Sequence, residues 1–395
     1  RHGDLSARLC YGGEASADHV IYGAVDYKPW AEVVSTLHQQ AQWLVCVDPF
    51  VDKRLLCIED EHEQRKIVGF TSGLGAYGEL NLTISTEQDT LKKLTEQVTG
   101  KLTNLMPFAE PDDFEAMAAR VVNEAEEIIG LASLRAVVGI DERIREVVGF
   151  AAIRRALAGA PGQMSQLLPV DSMLHWFVGS NVTLRPDLLQ LTLEVRPDYI
   201  PVVHAVLVEC KLAQKNPAHL AKAIVQIQEG LQHLTNLLAP RHSDLRGLGF
   251  DRRYWWAQLH RAMTSRSVVD LPEAQWRELD YALESIAEGH FEIRWQAAIF
   301  TFWINDPGPQ PEETLLSLPL GTVQPPFEVP PNFTVKHVAL GYQGVCALFA
   351  DPKPEPLVVL EGPAIALRAT GTSQPVSPVT MEQTPIPTPE EPAAT

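Results

Sequence analysis

Apolar and polar residues alternate with a period of two along residues 184–213, which predicts two neighbouring β-strands. The first strand lies in LRPDLLQLTLEV and the second in HAVLVECKLA, with a turn centred on Asp198 between them. Antiparallel pairing about that turn sets Asp187 opposite Glu209. Glu209, Lys211 and the leucines of the first strand then share one face, so an apolar face ends in two carboxylates and one ammonium group. A slip of one residue in the register would separate these groups.

Helical periodicity follows directly in NPAHLAKAIVQIQEGLQHLTNLL, where Asn216 and Pro217 are typical of a helix N-terminus. Further helices are expected over 85–105, 113–129, 141–158 and within 251–288. Other strands are predicted in QWLVCVDPFV, in a hairpin over 66–86, in LLPVDSMLHWFVG and in FEIRWQAAIFTFWIN. After a proline-rich crossover, VKHVALGYQGVCALFA and PLVVLEGPAIALRA are expected to form strands of a small β unit.

This order of elements predicts an α/β chain with a central mixed sheet flanked by helices. At 395 residues the chain exceeds the size at which single cores usually divide, so an additional N-terminal α/β module and a small C-terminal β-rich segment are expected. The predicted units are 1–135 (N-terminal module), 136–306 (central domain), 307–371 (proline-rich linker and small β segment) and 372–395 (disordered tail).

Composition narrows the classes of function. The net charge of −18 argues against nonspecific coating of nucleic acid, so any DNA contact should be local. Five widely spaced cysteines without a Cys-x-x-Cys pair favour neither disulfides nor structural zinc, and they suit a cytoplasmic protein. No apolar run approaches the roughly 20 residues of a membrane-spanning helix, and no secretory signal is expected.

The predicted pair of carboxylates carries the chemistry. Two adjacent carboxylates repel each other, and a divalent cation would neutralise them. Oxygen ligands alone favour Mg²⁺ or Mn²⁺. With Asp187 and Glu209 as metal ligands and Lys211 positioning or activating a water molecule, such a site could hydrolyse a phosphodiester bond.

Pro186-Asp187 and Glu209-Cys210-Lys211 resemble the PD and E-x-K elements of the PD-(D/E)XK nucleases, a superfamily that includes restriction enzymes. The resemblance covers about residues 140–305 and implies a restriction-endonuclease-like fold and Mg²⁺-dependent DNA hydrolysis. It also implies a catalytic glutamine on the following helix, for which Gln226 is favoured over Gln228.

The family resemblance also implies a further site residue. An acid on the preceding helix often joins the site, and Glu146 is the candidate here. A second resemblance rests on WLVCVDPFVD, the GELNLTIST stretch and the proline-rich tail, which make the wider layout similar to the nuclease-bearing part of FtsK/HerA-type restriction or antiphage ATPases, including the phosphorothioation-dependent one. This implies DNA and an ATPase as partners and an oligomeric assembly. The sequence contains no G-x-x-x-x-G-K-[ST] motif, so a partner would have to supply the motor.

Residues 241–266 hold six arginines and only two acids, a local excess of positive charge in an acidic chain. This stretch could hold the DNA backbone beside the cutting site, or it could be a solvated basic face. The candidates for DNA binding are Arg241, Arg246, Arg252, Arg253 and Arg261.

Several alternatives stay open from the sequence. Asp198, in a second Arg-Pro-Asp, could replace Asp187 as a ligand, although it lies at the predicted turn. Asp48 and Asp52 also follow a buried strand and could centre a nucleotide-using enzyme, although a strand-to-turn exit explains them as well. The Gly-rich stretch 73–78 connects two strands instead of opening a helix, which disfavours phosphate binding. In the other main alternative, the nuclease fold is a catalytically silent DNA-binding or assembly module that docks on an ATPase.

Overall fold

The structure of the protein is a computed structural model. It describes residues 28–41, 43–48, 66–71, 81–86, 90–106, 114–129, 143–158, 162, 164–177, 184–196, 200–242, 249–264, 273–321, 327, 329–358, 360 and 365–370. Side chains of a few residues inside these ranges are also left undescribed, among them Asp48.

A seven-stranded mixed sheet organises most of the described chain. Its strands are β4 (Met164–Pro169), β5 (Leu188–Glu194), β6 (Val202–Ala213), β7 (Glu292–Trp303), β8 (Glu312–Pro319), β9 (Asn332–Gly341) and β10 (Ile365–Arg368). They lie in the order β4-β5-β6-β7-β9-β8, and β10 also pairs with β7. Strands β6, β7 and β9 run parallel to one another, whereas the pairs β4–β5, β5–β6, β8–β9 and β7–β10 are antiparallel.

Helices cover both faces of this sheet, as expected for an α/β architecture. The helices are α1 (Lys28–Gln40), α2 (Thr90–Leu105), α3 (Phe114–Ile129), α4 (Ile144–Ala156), α5 (Pro217–Leu237), α6 (Gly249–Thr264), α7 (Glu273–Ala287) and α8 (Tyr342–Leu348). Buried residues of α2, α3, α4 and α8 form one hydrophobic core with the sheet, and those of α5, α6 and α7 form a second core on the opposite face. A 3-10 helix over Val170–Phe177 joins the second core.

The register of β5 and β6 confirms the strand pair expected from the alternating pattern. Leu188 pairs with Val208, and the pairing continues without a break to Glu194 and Val202. Odd-numbered residues of both strands enter the core beneath α5, and even-numbered residues enter the opposite core. Glu209 and Lys211 therefore lie on the face that α5 covers.

A second, three-stranded antiparallel sheet lies in the N-terminal part. Its strands are β1 (Leu44–Asp48), β2 (Lys66–Thr71) and β3 (Asn81–Thr86), in the order β1-β3-β2. The antiparallel pairing of β2 with β3 confirms the predicted hairpin. The Gly-rich connection between them lies outside the described residues.

The segment after residue 307 differs from the small separate β unit that was expected. Strands β8, β9 and β10 all belong to the central sheet, because β9 and β10 pair with different halves of the long strand β7. The predicted tail, 372–395, lies outside the described residues.

Two short apolar stretches predicted as strand are helical. Residues 342–348 form α8, in which Val345 and Leu348 are buried at helical spacing, and residues 170–177 form the 3-10 helix. Short apolar runs fit either structure, and here tertiary packing decides. Within the described ranges, no helix combines the length and apolar character that crossing a membrane requires.

Candidate functional site

Asp187, Glu209 and Lys211 come together where β5 begins and β6 approaches its end. The backbone N–H of Asp187 donates to Glu209 Oε2 at 3.1 Å, and the backbone N–H of Cys210 donates to Asp187 Oδ2 at 2.9 Å. Lys211 Nζ donates to Glu209 Oε1. The structure therefore brings together the three side chains that the strand pattern predicted.

Burial dominates the electrostatics of the two acids. It raises the pKa of Glu209 to about 9; the nearby Asp187 carboxylate adds to this rise and the Lys211 ammonium opposes it. Burial also raises the pKa of Asp187, and the positive charge of Lys211 again opposes this rise. Although burial alone would lower the pKa of Lys211, the two carboxylates outweigh it and raise that pKa. Without a cation, the site therefore favours a protonated Glu209 beside a charged Lys211.

Helix α5 holds the segment that carries Asp187. Gln226 Nε2 donates to the carbonyl oxygen of Arg185 at 2.6 Å, and Gly230, one turn further on, lies against Pro186. A carbonyl only accepts hydrogen bonds, so this contact fixes which end of the amide is nitrogen. Gln226 is buried and lies beside the candidate acids, whereas Gln228 bonds the carbonyl of Pro319 near the surface.

The 3-10 helix after β4 supplies a further acid that the sequence did not point to. Asp171 Oδ1 accepts from Arg185 Nη2 at 3.3 Å, and the N–H of Val170 donates to the carbonyl oxygen of Asp187 at 2.9 Å. The charge of Asp171 also raises the pKa of Asp187. An acid directly after strand β4 was the available signal, but only the pairing of β4 with β5 brings it near.

Glu146 lies on α4, which crosses the opposite face of β6. A Cβ added at Gly149 would come within 2.6 Å of Cys210 Sγ, so this helix runs close to the strand. The pKa of Glu146 is raised by burial and also by Asp187, against Arg143. The carboxylate of Asp187 thus contributes to the electrostatic environment of Glu146.

The donor chemistry of the site is compatible with a hard divalent cation. Across the described part of the chain, no group of three or more His, Cys, Asp and Glu side chains is arranged to hold a metal ion. Two carboxylates are nevertheless enough for Mg²⁺, which commonly retains water and binds substrate phosphates. Gln226 Oε1 is a buried acceptor without a hydrogen-bond partner among the described residues, so it could accept from water on such an ion.

Two of the predicted DNA-binding arginines, Arg241 and Arg252, lie away from these acids. The N–H of Arg241 donates to the carbonyl of Gly289 at 2.9 Å, just before β7 begins, whereas Lys211 lies near the end of the parallel strand β6. These are opposite ends of the sheet. Arg252 is buried, and its Nη1 bonds the Ala239 carbonyl at 3.4 Å beyond the end of α5. Both residues were predicted to bind DNA. The Arg241 side chain is exposed at this end of the sheet, whereas the Arg252 side chain is buried beside the end of α5.

The other predicted DNA-binding arginines and the alternative acids are described only in part. Arg253 is exposed and Arg261 half-buried, both on α6, which packs under β4 and β5. Arg246, Asp52 and Asp198 lie outside the described residues, and for Asp48 only the backbone is described, at the end of β1.

Comparison with known proteins places the chain in no established family. No family model, no curated protein and no solved structure matches it. A function must therefore be argued from the geometry of its own residues.

Proposed function

We propose that the protein hydrolyses DNA phosphodiester bonds with the help of a divalent cation, Mg²⁺ or Mn²⁺, at the site formed by Asp187, Glu209 and Lys211. The convergence of these three side chains at adjoining strand ends carries the proposal. Their resemblance to the PD and E-x-K elements of PD-(D/E)XK nucleases favours DNA as the substrate.

Each residue has a distinct part in this proposal. Asp187 and Glu209 would hold the cation, which supplies Lewis-acid polarisation and a lowered pKa for water when bound. Lys211 would leave Glu209 and place its ammonium beside the phosphate or the attacking water. Gln226 keeps the Arg185–Asp187 segment against α5 and directs its free amide oxygen toward the same region.

Cation binding in this proposal requires a local exchange of partners. Both oxygens of Glu209 are engaged by protein groups, and its side chain is 0% exposed. Binding of the cation should therefore displace Lys211 and release a proton from Glu209. Lys211 is 16% exposed at the side chain, so it can move without opening the core.

The closed state of Glu209 also favours a second candidate function. The fold could act as a DNA-binding or assembly module that stays silent until an ATPase of the FtsK/HerA kind docks on it, in restriction or antiphage defence. Tight DNA binding without cleavage in any divalent metal would select this alternative, as would a stable oligomeric complex with such a motor.

A plasmid-cleavage assay with Mg²⁺, Mn²⁺ or EDTA tests the main proposal. Wild-type protein should nick or cut the plasmid with either metal and not with EDTA, and Asp187→Ala and Lys211→Ala should abolish this activity while retaining a folded thermal transition. Asp280→Ala and Lys353→Ala make the same changes at exposed positions and should cut like wild type. Equal cutting by Asp187→Ala, Lys211→Ala and wild type would refute the assignment.

A further inference from the structure

The face of the sheet beneath α5 changes from apolar to polar at the level of the candidate acids. Along β7 this face carries buried apolar side chains up to Ile299, and the next residue on the face is Thr301. The polar character continues across the sheet to His337 on β9 and Thr314 on β8. A row of polar groups thus runs from the candidate site to the edge of the sheet.

Thr301 and His337 are joined by a buried hydrogen bond. Thr301 Oγ1 lies 2.9 Å from His337 Nε2, and His337 Nδ1 lies 3.0 Å from Thr314 Oγ1. Thr301 is fully buried and His337 is nearly so. Buried polar groups cost stability unless they are paired, and valine would fill the space of Thr301 without that cost. A function near the site would explain why a hydroxyl stands there.

Thr301 is the direct neighbour of Lys211. The two residues are partners in the parallel register of β6 and β7, so their side chains leave the same face of adjacent strands, which lie about 4.8 Å apart. A lysine ammonium has three hydrogen-bond donors, and Lys211 gives one to Glu209 Oε1. The ammonium keeps two further donors, and we infer that the Thr301 hydroxyl on the adjacent strand accepts from one of them once Lys211 leaves Glu209.

The state of His337 decides where the Thr301 hydroxyl hydrogen points. A neutral imidazole has one donor and one acceptor nitrogen. Burial lowers the pKa of His337, and the charge of Glu312 only partly offsets this effect. The neutral imidazole is therefore favoured. If Nδ1–H donates to Thr314, Nε2 accepts from Thr301, and the Thr301 lone pairs are left facing Lys211.

We propose that Thr301 is a positioning residue for Lys211 and that His337 orients the Thr301 hydroxyl group for this role. The contact would hold the ammonium in place when it leaves Glu209 for the phosphate or water. The catalytic meaning of this contact rests on the proposed nuclease function, whereas the contact itself does not.

A double-mutant cycle in a Glu209→Ala background, in which Lys211 has lost its acceptor, tests the contact without metal or DNA. Thr301→Val and Lys211→Met should shift Tm by amounts that do not add in the double variant, because each removes one partner of the same interaction. Thr192→Val is the matched control, since Thr192 is also fully buried and bonds Ser165 Oγ at 2.8 Å. Its shift should add to that of Lys211→Met. If Thr301→Val does not fold, His337→Asn replaces it in the cycle with the same expectation.

Cleavage kinetics then test the role. At saturating DNA and Mg²⁺, Thr301→Val should lower kcat roughly 10- to 100-fold with little change in KM, and Thr301→Ser should restore most of it. Thr192→Val should leave kcat unchanged. If the Tm shifts in the cycle are additive while the wild-type protein cleaves DNA, the positioning contact alone would be overturned. Coupled shifts in a protein that never cleaves DNA would support the contact and refute the nuclease proposal.

Discussion

The carboxylates of Asp187 and Glu209 each accept a hydrogen bond from the backbone of the segment that carries the other. Cys210 N–H binds Asp187 Oδ2 at 2.9 Å, and Asp187 N–H binds Glu209 Oε2 at 3.1 Å. The orientation of both acids is therefore set by the pairing of β5 with β6. Only one oxygen of Asp187 accepts from the backbone, so asparagine at this position keeps that acceptor and removes the charge. At Glu209 both oxygens accept, so glutamine would turn its NH2 group toward a donor.

Asp187→Asn should separate the charge of this residue from its structural role. We expect cleavage of plasmid in Mg²⁺ to fall by about 100-fold or more, because the variant loses a metal-holding charge. The Tm should stay the same or rise, since a buried carboxylate beside another acid is costly. Asp280→Asn on the exposed side of α7 is the control. A large fall in Tm without a fall in activity would contradict the assignment.

Gln226 and Gln228 offer a matched pair on one helix. Gln226→Leu leaves the carbonyl of Arg185 without its donor and removes a buried side-chain amide, so the free energy of unfolding should fall by about 1–3 kcal/mol in urea titrations. Gln228→Leu removes a bond to the Pro319 carbonyl near the surface and should cost less than about 0.5 kcal/mol. Cleavage should fall only for Gln226→Leu. Equal effects of the two variants would show that Gln226 has no special role.

Gly230→Ala should destabilise the protein although alanine is the better helix former. Its Cβ would lie 2.5 Å from Pro186 Cδ, so either α5 or the segment before Asp187 must shift. Overpacking of this kind costs about 1–3 kcal/mol. Gly100→Ala, within α2 and with nothing within 4 Å, should stabilise by about 0.5–1 kcal/mol. Stabilisation by both substitutions would mean that α5 does not press on Pro186.

The raised pKa of Glu209 predicts a pH dependence of stability in EDTA. The folded state keeps the proton up to about pH 9, whereas the unfolded carboxyl loses it near 4.5. The contribution of Glu209 to the free energy of unfolding is thus complete below pH 4.5 and is lost as the pH rises toward 9. Glu209→Gln should flatten that part of the profile of free energy of unfolding against pH.

Mg²⁺ should be bound with release of a proton, measurable by calorimetry in buffers of different ionisation enthalpy.

The sequence was sufficient to predict the relation between β5 and β6. The alternation of leucines with polar residues allowed one register that buried the apolar face, and the observed pairing of Leu188 with Val208 is that register. Gln226 was likewise distinguishable from Gln228, because helical spacing places them on different faces. These are local patterns, in which neighbouring residues determine the geometry.

Contacts between distant segments could not be predicted in this way. Asp171 approaches Arg185 only because β4 pairs with β5, and Thr301 meets His337 only because β9 lies parallel to β7. The positive charge of residues 241–266 likewise did not indicate whether each arginine side chain faces solvent or the interior. Arg252 points inward to the Ala239 carbonyl, a contact that a count of charges cannot distinguish from exposure.

The alternation of β6 also places Cys210 between Glu209 and Lys211 on the other side of the strand, where Gly149 of α4 presses on its sulfur. Burial raises the pKa of this thiol well above its usual range, so it should resist alkylation in the closed protein. Cys46 and Cys346 are more accessible and should label first. The rate at which Cys210 is alkylated would then report how often α4 separates from the sheet. This cysteine is therefore a natural probe of local opening beneath the candidate site.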